Sequence, residues 1–243
     1  MQADSRTIHA LGGYALTAIT AVTAQNTRGI FAWKAVPPAL IAAQISAVMN
    51  DFPVAALKTG LLPGVPAARA VARALAGGRK LPLVIDPVIA SSSGTRFLST
   101  AGVRELKSGL FPWAALVTPN WPEAEALTGR RVRSREEVEA AADHLLQTGC
   151  RAVLIKGGHA PGRICPDYLA MANGGRRWYE DPRVATRNKH GTGCVLSAAI
   201  AIGLARGEII EAAVAAARQF LRQSLLAGKA VRWGKGSGPA FPG

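Results

Sequence analysis

Residues 189–194 (KHGTGC) combine features that suit chemistry on an anion. Gly191, Thr192 and Gly193 precede an apolar run, residues 195–206 (VLSAAIAIGLAR). There Val195, Leu196, Ala199, Ile200 and Leu204 recur at helical spacing, and Gly207 marks the end. Glycines let the backbone approach a ligand closely, and the free N–H groups and dipole of a helix start favour negative charge. Such an anion hole can stabilise a phosphoryl group in transfer. The same residues also suit a plain glycine turn ahead of a core helix. Cys194 falls in the first helical turn, where the dipole can lower a thiol pKa, or where a small buried hydrophobe would serve equally well.

Three further places carry polar groups at the ends of strand-like runs. Asn120 and Glu123 (NWPE, residues 120–123) follow the run that ends at Thr118-Pro119. Asn120 suits a helix cap, Pro122 the first turn and Glu123 the positive end of the dipole. An Asn and a Glu at this spacing can also hold a hydrated magnesium ion beside phosphates. Asp86, in Asp86-Pro87-Val88, is an acid placed to meet a metal or a solvated phosphate. Lys156 and Gly157, in Lys156-Gly157-Gly158, suit nucleotide phosphates. The sequence has no GxxxxGK[ST] and no GxGxxG pattern, which argues against a P-loop or dinucleotide fold. His9, His144, His159 and His190 lack metal-ligand spacing, and Cys150, Cys165 and Cys194 form no CxxC pair, so a zinc site is not indicated.

The elements that must position these groups alternate along the chain. Residues 81–86 (LPLVID), 114–118 (AALVT) and 152–156 (AVLIK) read as buried strands, with 54–58 (VAALK) beside them. Residues 38–52 place Ile41, Ile45, Val48, Met49 and Phe52 on one helical face. Ser134 and Glu137 predict a capping box, followed by the stripe Val138, Ala141, Leu145 and Leu146 and a stop at Gly149. Residues 208–226 repeat the pattern through Ile210, Val214, Ala217 and Leu221. This alternation predicts an α/β fold with parallel strands and helices on both faces. In such folds ligands bind beyond the carboxyl ends of the strands. Residues 14–23 (YALTAITAVT) fit a buried strand and a small-residue helix equally.

Bulk properties narrow the classes. The 243 residues suit one large α/β domain, 49% hydrophobic and so not disordered. The net charge of +14 is spread rather than gathered into basic runs with aromatics. That favours a generally basic surface, which attracts a polyanion such as ATP, over a nucleic-acid footprint. Three cysteines without paired spacing fit a reducing compartment. With no apolar leader at the N-terminus and no apolar run long enough to span a bilayer, the expectation is a cytoplasmic, soluble protein.

Taken in order, TAQN (23–26), KTGLL (58–62), DPV (86–88), TPNWPEAEALTG (118–129), KGGH (156–159) and HGTGC (190–194) resemble the hydroxymethylpyrimidine/phosphomethylpyrimidine kinases over nearly the whole chain. The resemblance implies a ribokinase-like three-layer α/β/α sandwich with a central, mostly parallel sheet, and it favours a strand over residues 14–23. It implies ATP and Mg2+ as cofactors, a homodimer, and two successive phosphorylations: of 4-amino-5-hydroxymethyl-2-methylpyrimidine and of its monophosphate. By the same resemblance Gln25 hydrogen-bonds the pyrimidine, and Asp4, Leu61 and Val88 line its pocket. Asn120 and Glu123, with Asp86, organise magnesium; Lys156, Gly157 and Thr192 hold ATP; and Gly191, Thr192 and Gly193 form the anion hole. Cys194 stands where many ribokinase-like enzymes carry an aspartate base, and points to pyrimidine or pyridoxal substrates rather than sugars. It can act as a base only if its pKa falls toward neutrality. A pyridoxal kinase and a non-catalytic pyrimidine-binding relative are the alternatives. The family opens with a strand and a glycine-rich loop ahead of a QAD-like segment. Here Met1 is followed at once by Gln2-Ala3-Asp4, so the expectation is a chain that starts inside the first helix, without that strand and loop. Residues 234–239 (GKGSGP) resemble the family's glycine-rich tail.

Overall fold

Short runs of branched residues set the sheet. The computed structural model describes residues 1–77, 80–91 and 94–241. Its parallel strands are β3 (Leu57–Thr59), β4 (Leu83–Ile85), β5 (Leu116–Val117) and β6 (Ala152–Ile155). Two antiparallel strands, β7 (Ile164–Met171) and β8 (Arg176–Pro182), extend them into one six-stranded sheet of order β3-β4-β5-β6-β7-β8. The sheet is thus mostly parallel, as expected. The regular strands are shorter than the apolar runs that announce them, and the strand read over 54–58 starts only at Leu57.

Strand alternation sorts the core into two layers. Leu83, Ile85, Val117, Val153 and Ile155 face helices α2 (Pro38–Asp51), α3 (Gly64–Ala76), α4 (Thr100–Gly109), α5 (Trp121–Thr128) and α6 (Arg135–Leu146). Val84, Leu116, Leu154 and Leu169 face α7 (Thr192–Ala205) and α8 (Ile210–Ala227). Helix α1 (Gln2–Ala10) packs on α7. The three-layer expectation therefore holds. The predicted capping box at Ser134 and Glu137 forms, with Glu137 N–H donating to Ser134 Oγ at 3.2 Å.

The antiparallel hairpin of β1 (Ala21–Asn26) and β2 (Gly29–Ala35) stands apart from the main sheet. The strand favoured over 14–23 thus forms only at its end: residues 14–20 carry no regular structure. Among the described residues β3 has no neighbour on its far side. Leu57 and Thr59 bond toward β4, so the Lys58 peptide groups point into the open side. Beyond this edge lies a cleft of about 2050 Å³. Ile45, Val48, Met49 and Phe52 of the predicted α2 face line it, opposite Ile202 and Ala205 of α7; only Ile41 on that face is fully buried.

Candidate active site

The same cleft continues past the carboxyl ends of β3 to β6, where the predicted site residues collect. Asp4, Gln25, Leu61, Val88, Asp86, Asn120, Glu123, Lys156, Gly191, Thr192, Gly193 and Cys194 all line it. Gly157 does not. Its N–H is taken by Asp167 Oδ1 at 2.6 Å, and the residue is buried against β7. Gly157, expected with Lys156 to hold ATP, thus stands off the cleft wall: of that pair only Lys156 lines it.

The glycines open helix α7 as their pattern predicts. Gly191 is the N-cap of α7 at φ 79°, a left-handed conformation that glycine adopts without strain. The first full helical bond runs from Val195 N–H to the Gly191 carbonyl at 2.9 Å, so Gly193 and Cys194 keep N–H groups with no partner inside the helix. A Cβ on Gly193 would lie 3.2 Å from Lys156 Nζ and 3.3 Å from Asp86 Oδ2, so a side chain there would crowd the lysine and acid.

Two largely buried lysines flank this loop. Lys156 Nζ contacts Asp86 Oδ1 at 2.6 Å and Glu123 Oε2 at 4.0 Å, and Thr118 Oγ1 donates to the same Asp86 oxygen at 3.2 Å. Burial works against the Lys156 charge, but Asp86 and Glu123 outweigh it and raise its pKa. Burial pushes the Glu123 carboxyl up to about 7, with Lys156 pulling the other way. On the opposite side, Lys58 Nζ donates to Asp4 Oδ1 at 2.7 Å. Burial disfavours the Lys58 charge, yet Cys194, Asp4 and Asp86 together hold it above the usual ammonium range. Lys58 lies inside the KTGLL motif, but nothing local in the sequence reveals its partner 54 positions away.

Opposing charges act on the thiol. The Lys58 ammonium lowers the Cys194 pKa, but burial and the carboxylates of Asp4 and Asp86 raise it further, and the balance lies above the ordinary thiol value. A helix N-terminus alone does not bring this thiol to neutrality when carboxylates crowd it.

Gln25 sits at a β-bulge between Ala24 and Gln25, a device that re-aims a side chain. Its Nε2 lies 3.1 Å from His190 Nε2. His190 is itself pinned by the C-terminal tail: its N–H donates to Gly238 O at 3.0 Å, and Ala240 N–H donates to its carbonyl at 2.9 Å. No sequence signal marks this partnership.

The fit to magnesium is partial. Asn120 Oδ1 accepts from Glu123 N–H at 2.9 Å, and Glu123 Oε2 accepts from Asn120 N–H at 2.8 Å, a full capping box. Asn120 is thus committed to the helix cap, the structural role foreseen for it. Among the described residues Asp86 Oδ2 and Glu123 Oε1 accept no hydrogen bond, and both acids lie with Lys156 on the cleft wall. Two carboxylates suit a magnesium ion that keeps waters and shares phosphate oxygens. No group of three His, Cys, Asp or Glu side chains able to hold a metal occurs among the described residues, and no helix there is long and apolar enough to cross a membrane.

Comparison with known proteins supplies the context. The family described as phosphomethylpyrimidine kinase matches residues 1–241. The thiamine biosynthesis bifunctional protein ThiED of Geobacter sulfurreducens is 40% identical over 239 residues, which cover 98% of this chain and 48% of that protein. The chain therefore spans about half of that relative. The hydroxymethylpyrimidine/phosphomethylpyrimidine kinase of Haemophilus influenzae is 38% identical over 242 residues, covering 98% of this chain and 89% of its own. Among solved structures, the ADP complex of Bacillus subtilis pyridoxal kinase superposes with a TM-score of 0.89 at 26% identity, covering 100% of this chain and 91% of that one. A family match over residues 1–241, with the motifs gathered in one cleft, leads to one assignment: this chain belongs to the phosphomethylpyrimidine kinase family.

Proposed function

We propose that this protein transfers the γ-phosphoryl group of ATP to the hydroxymethyl group of 4-amino-5-hydroxymethyl-2-methylpyrimidine, and then a second phosphoryl group to the monophosphate. The observation that carries this reading is that Gln25 and Cys194 face one cleft, with the free N–H groups of the α7 start beside them.

Gln25 holds the pyrimidine edge, while Asp4, Leu61 and Val88 shape the pocket around the ring. The substrate hydroxyl lies toward Cys194 and gives its proton to Cys194 in its thiolate form, which is the minor form at neutral pH because the thiol pKa lies above its ordinary value. The hydroxyl oxygen bonds to the γ-phosphorus, and the bond to the β-phosphate bridging oxygen breaks, releasing ADP. The N–H groups of Gly193 and Cys194, with the α7 dipole, meet the charge on the transferring group; one such donor is worth about 100- to 1000-fold in rate. Thr192 adds a hydroxyl at the same helix start. Lys156 neutralises phosphate charge. Asp86 and Glu123 would hold Mg2+, which supplies charge neutralisation between phosphates. Lys58 opposes the carboxylates around Cys194 and so favours the thiolate that the base role requires.

We place the enzyme in the cytoplasm, as a homodimer. Cys150, Cys165 and Cys194 are free thiols, as a reducing compartment allows. Sedimentation velocity tests the dimer. A coupled ADP-release assay with the pyrimidine, its monophosphate and pyridoxal tests the function. Turnover of pyridoxal alone would transfer the assignment to the pyridoxal kinases, whose fold this chain shares.

A further inference from the structure

Behind Lys156 lies a second set of contacts. Arg183 opens the segment 183–190 that runs from β8 to the α7 start, and its side chain turns back onto the turn after β6. Nη1 donates to the Gly158 carbonyl at 2.7 Å, and Nη2 to the Ala160 carbonyl at 2.6 Å. Longer contacts reach Gly162 O at 3.2 Å from Nε, and Ile164 O at 3.3 Å and Gly157 O at 3.5 Å from Nη2. The backbone N–H of Arg183 also donates to Arg163 O at 2.7 Å. From the inner side, Asp167 takes the Gly157 N–H, and its other oxygen is paired with the buried Arg218. Gly157 packs so closely on the Pro166 carbonyl that no side chain would fit there.

Lys156 therefore stands on a turn gripped from both sides, and one of the two grips begins the segment that ends at Gly191. The grip suits guanidinium chemistry. Carbonyls spread over residues 157–164 need donors fanned out in a plane, which arginine offers and the single ammonium of lysine does not. Arg183 has no carboxylate partner among the described residues, so its donors are free for these carbonyls.

We infer that Arg183 is a positioning residue for phosphoryl transfer: its guanidinium ties the turn carrying Lys156 to the segment entering the Gly191 anion hole, and so fixes the spacing of the two groups that grip the ATP phosphates. This role rests on the ATP reading above. The test uses the full chain with Arg183→Gln and Arg183→Lys. For Arg183→Gln, kcat/KM for ATP falls about tenfold or more, the loss of one to two charge-assisted contacts. Pyrimidine affinity by calorimetry stays within about twofold of the wild type by the same measure. Arg183→Lys recovers only part of the ATP effect, and it carries the same comparison should Arg183→Gln not fold. Unchanged ATP kinetics in a wild type that uses ATP would overturn this role alone. An equal loss of pyrimidine and ATP affinity, with a lower Tm, would make Arg183 a general staple of the fold and also overturn it. A wild type that binds no ATP would overturn both this role and the kinase reading.

Discussion

Gln25 Nε2 and His190 Nε2 lie 3.1 Å apart across 165 positions of sequence. With the amide nitrogen as donor, His190 Nε2 accepts, an arrangement that requires a neutral ring with its proton on Nδ1. Burial keeps the His190 pKa below the ordinary imidazole value, consistent with that state. The contact leaves the Gln25 carbonyl oxygen free to accept from an amino group on the pyrimidine. Gln25→Ala is expected to weaken pyrimidine binding about tenfold, roughly one hydrogen bond, with ATP affinity unchanged. Calorimetry with each ligand checks this, and an unaltered pyrimidine affinity would remove Gln25 from recognition.

The base assignment predicts that Cys194→Ser lowers kcat by about 100- to 10,000-fold while the pyrimidine KM moves little. Equal losses in kcat and affinity would contradict it. Because the net shift on the thiol is upward, the rate is expected to climb with pH from neutral into the alkaline range. Cys194→Asp, whose acid titrates near 4, should move that limb several pH units down. A pH–rate profile of both proteins reads this directly.

Lys58 exerts the largest single influence on the Cys194 thiol, and its sign is favourable to the thiolate. Lys58→Met should therefore slow alkylation of Cys194 by iodoacetamide at pH 8 and move the thiol titration to higher pH. Mass spectrometry of the modified peptide measures the rate. An alkylation rate equal to that of the wild type would show that Lys58 does not tune the thiol.

Asp4 gives a stability test with a definite sign. Burial pushes its carboxyl up, but Lys58 and the Met1 amino group together outweigh burial, and the folded pKa lies below its ordinary value of 3.8. The folded state therefore binds this proton less tightly than the unfolded chain, and stability rises with pH through this window. The contribution is complete above the unfolded value and is lost as pH falls through the lower folded one. Asp4→Asn should destabilise the protein at pH 7 by roughly 3 kcal/mol, since it strands a buried ammonium. The difference from the wild type should shrink toward pH 3. Urea denaturation at both pH values decides; a difference independent of pH would rule out the ion pair as its source.

Local signals were legible in the sequence. The caps at Asn120 and Ser134, the branched runs of β4 to β6 and the glycine start of α7 each depend on neighbours within a few residues, and each forms where expected. The elements that escaped depend on distant partners. Hairpin β1–β2 is largely exposed, so no buried apolar face announces it. Strand β7 contains Pro166, a residue that argues against a strand; it is tolerated there because β6 pairing begins only at Tyr168. In the site, the polar residues at strand ends were visible, but their pairings were not. Lys58 with Asp4, Gln25 with His190 and Arg183 with the turn after β6 are all set by the fold. The direction of the thiol shift was hidden for the same reason, because the carboxylates that raise its pKa come from α1 and the end of β4.

The most direct measurement is pyrimidine-dependent ADP release from ATP by the full chain with Mg2+ present, run beside Cys194→Ser and with pyridoxal as a second substrate. The account predicts that the wild type releases ADP when given the pyrimidine, that this release is nearly lost in Cys194→Ser, and that both proteins still bind the pyrimidine. Pyrimidine bound with no ADP released by the wild type would contradict it, as would turnover that Cys194→Ser leaves intact.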